Sequence, residues 1–136
     1  MHGLHLTADL RDCPVARRVM TDPEALRATC LAAVTAAGLC AVGELFHRFA
    51  PVPDADPADP VGVTGVVLLA ESHLAVHTWP EIASVTLDVY VCNLGSDNSA
   101  CAHTLLEELI AAFEPGLVER HALERGMRRS PIGEPA

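Results

Sequence analysis

Apolar and polar residues alternate from His2 to Leu10, with Leu4, Leu6, Ala8 and Leu10 on one face. That period of two predicts a half-buried strand. Thr21-Asp22-Pro23-Glu24 then carries the marks of a helix start: Thr21 as cap, Glu24 closing a capping box, Pro23 in the first turn. Ala25, Leu26, Cys30, Leu31, Val34 and Ala37 continue the helix to a stop at Gly38, and Leu39 to Phe49 reads as a second strand. Pro51 to Pro60 holds four prolines and three aspartates, which suits neither a ladder nor a helix and predicts an exposed loop. Val61 to Ala70 reads as a central strand, interrupted by Glu71-Ser72-His73 before a short strand, Leu74 to Thr78, that stops at Pro80. Val85, Leu87, Val89 and Val91 alternate with Thr86, Asp88, Tyr90 and Cys92, a further half-buried strand. Gly95 to Ser99 is turn and cap chemistry opening a second helix to about Phe113, with Ala102, Leu105, Leu106, Leu109 and Ile110 on one stripe. Pro115-Gly116 ends it, Leu117 to Leu123 reads as a last strand, and Glu124 to Ala136 as a flexible tail.

The order β-α-β-β-β-β-α-β predicts an α+β fold: a two-layer sandwich of a mostly antiparallel sheet with two helices on one face. The other face would then carry Thr86, Asp88, Tyr90 and Cys92 on one strand and Ala75, His77 and Trp79 on another. A half-polar sheet face bearing a Trp predicts a site, a dimer contact or both, and a homodimer is expected. One domain over residues 1–123 with a tail over 124–136 accounts for the chain.

Composition narrows the chemistry. The chain has 136 residues, 50% of them hydrophobic, which is enough for one core. Its net charge is −9, and all nine of its bases are Arg. Without lysine there is no lysine Schiff base, with pyridoxal phosphate or with a carbonyl substrate, and no Walker lysine. The acidity argues against a nucleic-acid binder, which needs a basic face, and is compatible with a cationic small substrate. Five cysteines without C-x-x-C spacing read as reduced thiols, and neither a leader nor a membrane span is evident, so a soluble cytoplasmic domain is expected.

Ala70 to Glu81 gathers the chemically unusual residues, directly after the most apolar strand. His73 and His77 are four apart, but on a strand that separates their rings by roughly 13 Å, too far for one ion, so no metal site is expected. A Ser-His hydrolase built on Ser72 and His77 lacks the G-x-S-x-G elbow. A third possibility is that Ser72 attacks its own backbone. A serine in a strained turn can take over the preceding acyl group as an ester. β-Elimination then cuts the chain and leaves a pyruvoyl group on the new N-terminus. Glu71-Ser72 at a strand end, with His77 as base on the next strand, supplies the parts. Residue chemistry alone leaves these readings open.

Glu71-Ser72-His73-Leu74-Ala75-Val76-His77-Thr78-Trp79-Pro80-Glu81 resembles the self-cleavage motif of the small prokaryotic S-adenosylmethionine decarboxylases. His5-Leu6-Thr7-Ala8-Asp9-Leu10 with Cys13, Phe46-His47-Arg48-Phe49, Gly62 to Val67 and Leu87 to Cys92 are similar to other segments of that family. The resemblance implies cleavage between Glu71 and Ser72 into chains 1–71 and 72–136, with a pyruvoyl cofactor made from Ser72. It implies that His77 accepts a proton in processing and that Cys92 returns one to the substrate carbon. It further implies that Glu81 contacts the substrate, that Phe49 stacks on its adenine, and that a hydroxyl at Thr64 supports processing. Decarboxylated S-adenosylmethionine, the implied product, donates aminopropyl groups in spermidine synthesis. The implied assembly is a homodimer with sites near the subunit contact.

Three departures stand out. Thr64 replaces the family's usual serine, Asn93 follows Cys92 where many members have glycine, and the proline-rich loop of residues 51–61 is inserted beside the presumed substrate pocket. Related enzymes act on ornithine or arginine, which are alternative substrates for the same chemistry. An unprocessed, non-catalytic homologue serving as a binding or regulatory subunit is a second alternative, and a bare dimerisation module a third. Taken singly, Cys13, Cys30, Cys40 and Cys101 read as small buried fillers, Asp88 as solvated or paired with Arg, Glu71 as exposed in a turn, and the acidic loop as only a loop.

Overall fold

The structure, a computed structural model, describes residues 2–126. β1 (Gly3–Arg11) leads through a short 3-10 turn (Arg18–Met20) into α1 (Pro23–Ala36). β2 (Ala41–Arg48), β3 (Val63–Leu69) and β4 (Ser72–Trp79) follow, then a second 3-10 turn (Pro80–Ile82) and β5 (Ser84–Cys92). α2 (Ser99–Phe113) and β6 (Leu117–Arg125) complete the order expected from the pattern. The strands form one sheet, β2-β3-β4-β5-β1-β6, antiparallel at every step.

Alternation along the strands sorts their side chains between two faces. Leu6, Ala8 and Leu10 of β1, Val63, Val67 and Leu69 of β3, Leu74 and Val76 of β4, and Val85, Leu87, Val89 and Val91 of β5 are buried on one face. There they join Leu26, Cys30, Ala33 and Val34 of α1 and Leu105, Leu106, Leu109 and Phe113 of α2 in a single core. Each fully buried Leu or Val contributes about 1.5–3 kcal/mol relative to exposure. The fold is therefore the expected α+β pair of layers, with both helices on one side of the sheet.

Thr78 is the one buried polar side chain of this layer among the described residues. Its hydroxyl donates to the Met20 carbonyl at 2.8 Å and accepts from the Val63 amide at 2.8 Å, tying the first 3-10 turn and the start of β3 to β4. Gly62, one residue earlier, lies so close to β4 that a Cβ there would stand 1.9 Å from the Thr78 carbonyl oxygen.

Several boundaries differ from expectation. The cap of α1 is Asp22, whose carboxylate accepts the Glu24 amide at 3.0 Å, whereas Thr21 closes the preceding turn. Arg18 pairs with the same carboxylate, and the bonds from Arg18 and from the Glu24 backbone amide hold the Asp22 carboxyl below its ordinary value. Glu71-Ser72-His73 does not interrupt a strand. β3 and β4 form a tight hairpin in which Leu69 pairs with Ser72, so the turn is only Ala70-Glu71 and β4 begins at Ser72. β6 reaches Arg125 because β1 offers pairing partners along its whole length, from Leu117 opposite Arg11 to Arg125 opposite Gly3. The rest of the expected tail, residues 127–136, lies outside the described residues. Cys13 and Cys30 are buried as expected, but Cys40 is exposed and Cys101 is half-buried, since they sit away from the apolar stripes of their neighbours.

Candidate active site

β4 carries expected site residues at both of its ends. At its start, Glu71 is the second residue of the hairpin turn, exposed, with φ of 58°. Two-residue hairpins favour turns with a left-handed first residue, and here only the second is left-handed. For a residue with a Cβ that conformation costs roughly 1–2 kcal/mol. The strained residue is the acyl donor of the bond at which the sequence predicts cleavage. The Ser72 hydroxyl accepts a hydrogen bond from the Cys92 amide at 3.1 Å, so the expected cleavage serine bonds to the backbone of the expected catalytic cysteine.

The chain around Cys92 is held by a local network. Its carbonyl accepts from the Asn98 side chain at 2.9 Å, and its sulfur accepts from the Leu94 amide at 3.5 Å. Asn93, the residue that replaces glycine, accepts the Asn98 amide at 2.7 Å and donates to Ser99 Oγ at 3.0 Å. Asp97 accepts the Ser99 amide at 2.9 Å, and this bond leads the causes that hold its carboxyl below the ordinary value. Asn93 and Asn98 thus build a loop that fixes the backbone of Cys92.

At the far end of β4, Thr64 of β3 pairs with His77, and its hydroxyl lies 3.0 Å from His77 Nδ1. The threonine keeps the contact a serine would make. Trp79 stacks on the His77 ring at 5.8 Å between centroids. Phe49, just past β2, and Glu81, in the turn after β4, line one cavity of about 920 Å³ with Arg48, Asp56 and Asp59. The prolines and aspartates of the inserted loop form much of its wall, so the loop is more than the plain connection the sequence suggested.

His77 is therefore on the same strand as Ser72, not on the next one. Five strand steps separate them by roughly 16 Å. Ser72, Glu71 and Cys92 are brought together at one end, and Thr64, His77, Phe49 and Glu81 at the other.

Between the two ends runs the open sheet face. His5 Nε2 lies 3.1 Å from the Asp88 carboxylate, so Asp88 is paired with a histidine rather than an arginine. Tyr90 packs among His5, His73 and Arg125. Leu45, Leu68, Leu117 and Leu123 lie on this face, each more than half exposed. Asp9, Glu119 and His121 also converge there, with one potential ligand atom from each within 4.8 Å of the others, on β1 and β6, two and three strands away from β4.

A sequence model described as S-adenosylmethionine decarboxylase matches residues 4–126. The chain belongs to the S-adenosylmethionine decarboxylase family. It is 36% identical over 132 residues to the S-adenosylmethionine decarboxylase proenzyme of Parasynechococcus marenigrum, covering 96% of this chain and 88% of that one. The proenzyme of Aquifex aeolicus is 35% identical over 127 residues, covering 92% and 82%. The crystal structure of the adenosylmethionine decarboxylase from Aquifex aeolicus superposes with a TM-score of 0.79 at 30% identity, covering 97% of each chain. Membership in this family sets decarboxylase chemistry over the hydrolase reading. The groups the sequence did not reveal are Arg48, Asp56 and Asp59. Their only signal was position, since the insertion follows Phe49 directly.

Proposed function

We propose that this chain is a self-processing, pyruvoyl-dependent S-adenosylmethionine decarboxylase, cut between Glu71 and Ser72. One observation carries the reading: the Ser72 hydroxyl adjoins a peptide whose acyl residue is held left-handed, and bonds to the amide of Cys92. Ser72 Oγ adds to the Glu71 carbonyl carbon, and the amide nitrogen leaves as an amine, giving an ester. Removal of the Ser72 α-proton expels the Glu71 carboxylate. The residue left at position 72 takes up water and releases ammonia, becoming a pyruvoyl group. Held at position 72, such a group would supply an electrophilic carbonyl for the substrate's amine and an electron sink for the loss of CO2.

The protein's own residues do the rest. The Cys92 thiol holds the proton that goes to the substrate carbon. The Phe49 ring and the Glu81 carboxylate, which share a cavity, hold the adenosyl part, and an aromatic face also favours a sulfonium cation. His77, fixed by Thr64, is the proton acceptor of the processing step. The product serves as aminopropyl donor for spermidine synthesis, in the cytoplasm, where free thiols persist. Among the described residues no helix is long and apolar enough to cross a membrane.

The working form is a homodimer joined through the open sheet faces. The ground for this is the span between half-sites: roughly 16 Å of β4 separates Ser72 from His77, too far for direct proton transfer. Two copies related by a two-fold axis would set the Ser72–Cys92 end of β4 in one protomer against the Thr64, His77, Phe49 and Glu81 end of its partner; Ser72, opposite Leu69, starts on the helix-facing side, so its end of the strand must turn towards the open face for the cut. The exposed leucines on that face supply the apolar contact.

Intact mass under denaturing conditions tests the cut: fragments 1–71 and 72–136 are expected from the wild type, and an uncut chain from Ser72→Ala. A wild type that stays whole at neutral pH refutes the reading. CO2 release from S-adenosylmethionine, compared with ornithine and arginine, tests the substrate. Co-expressing Ser72→Ala with His77→Ala tests the shared site. In the mixed dimer, one site keeps both Ser72 and His77, so the His77→Ala chain is cut only when the other variant is present.

A further inference from the structure

We infer that the inserted loop of residues 51–61 is a substrate-recognition element, whose Asp56 and Asp59 select for the positive charge of the ligand. The inference rests on the decarboxylase reading and extends it to the proline-rich loop after Phe49. The loop is built as a fixed wall. The Phe49 amide donates to the Gly62 carbonyl at 2.9 Å and closes its base. Within it, the Ala55 amide bonds to the Val52 carbonyl at 3.2 Å and the Asp59 amide to the Asp56 carbonyl at 2.9 Å. The Asp56 side chain accepts the Ala58 amide at 2.9 Å. Four prolines fix φ at their positions, so the loop surrenders little further entropy when a ligand binds.

This wall forms one side of the cavity that Phe49 and Glu81 also line. The ionisable residues around it are Arg48 against Asp56, Asp59 and Glu81, an acidic excess of two charges beside an aromatic ring. An aromatic ring in a cavity with an acidic excess favours an adenosyl sulfonium over its neutral thioether counterpart. Asp54 belongs to the same loop and carries the same charge but does not line the cavity, so it separates local contact from overall acidity.

The test measures binding of two probes that lack the amino-acid part: an adenosyl dimethylsulfonium cation and neutral 5′-methylthioadenosine. The wild type is expected to prefer the cation. Asp56→Asn/Asp59→Asn is expected to weaken cation binding by roughly fivefold, the scale of two partly exposed ionic contacts. It should leave the thioether affinity, and the rate of self-cleavage, as they were. Asp54→Asn should bind both probes as the wild type does. An unchanged preference in the double variant overturns the inference while the decarboxylase reading stands. A loss shared equally by Asp54→Asn overturns it in favour of overall charge. A wild type that releases no CO2 from S-adenosylmethionine and binds neither probe overturns both.

Discussion

Glycine at position 71 tests whether the hairpin turn stores strain for the cleavage step. Glu71 is left-handed, and relieving a Cβ there is worth about 1–2 kcal/mol. Glycine also adds about 0.5–1 kcal/mol of chain entropy to the unfolded state, which offsets part of that gain. In the uncut Ser72→Ala background, Glu71→Gly should therefore be more stable by roughly 0.5–1 kcal/mol, a rise in melting temperature of about 2–4 °C. In the active chain the relaxed turn must climb further to reach the attacking geometry. If all the strain is released on the way to the ester, the barrier rises by about 1–2 kcal/mol and cleavage slows about 5- to 30-fold. Glu71→Ala keeps the Cβ, and with it the strain, while losing the exposed Cγ methylene and carboxylate, so it should be cut within about twofold of the wild-type rate. A time course of fragment appearance by mass, with melting of the uncut variants, reads both quantities. Glu71→Gly that melts no higher than its parent and is cut as fast as the wild type refutes the strain argument.

Thr64→Val removes the hydroxyl beside His77 Nδ1 and should slow self-cleavage by roughly 3- to 10-fold, the worth of one hydrogen bond, while Thr64→Ser restores it; the same time course checks this. Thr78→Val keeps the shape but strands the Val63 amide and the Met20 carbonyl, and urea denaturation should show a loss of about 2–4 kcal/mol. Burial pushes the Cys30 thiol from its ordinary 9.0 up to about 12, so a thiol reagent at pH 8 should label exposed Cys40 quickly and leave Cys30 intact until the protein unfolds. The same shift makes stability depend on alkaline pH. The contribution of Cys30 is complete below pH 9.0 and is lost as pH rises towards about 12, where the unfolded thiol ionises first; a denaturation series across that window measures it.

Much of the fold was legible because alternation of side chains is a local property. The period of two in Val85 to Cys92 and the stripe Leu105, Leu106, Leu109 and Ile110 each named a face without knowledge of its partner, and both faces are buried as expected. Boundaries were less legible where two neighbours compete for one role. Thr21 and Asp22 are both cap residues, and only the chain direction entering α1 decided for Asp22. Glu71-Ser72-His73 looked like a break because its polarity is real, yet a two-residue turn needs only Ala70 and Glu71 to leave the ladder.

By itself, the sequence determined the chemistry at hand: no lysine, a serine after Glu71, and a histidine, a cysteine and an acid at set intervals from it. It also determined which sheet face is apolar, because the pattern is written residue by residue. Only the tertiary structure decided how far apart those groups lie. Ser72 and His77 are five residues apart in the sequence, and an extended strand turns that short interval into roughly 16 Å. Pairing across strands instead brought Cys92 to Ser72 and Thr64 to His77 over intervals of 20 and 13 residues. The closing of the inserted loop onto Phe49 and Glu81 was likewise invisible in one dimension, since composition marks a loop as exposed and says nothing of which wall it forms.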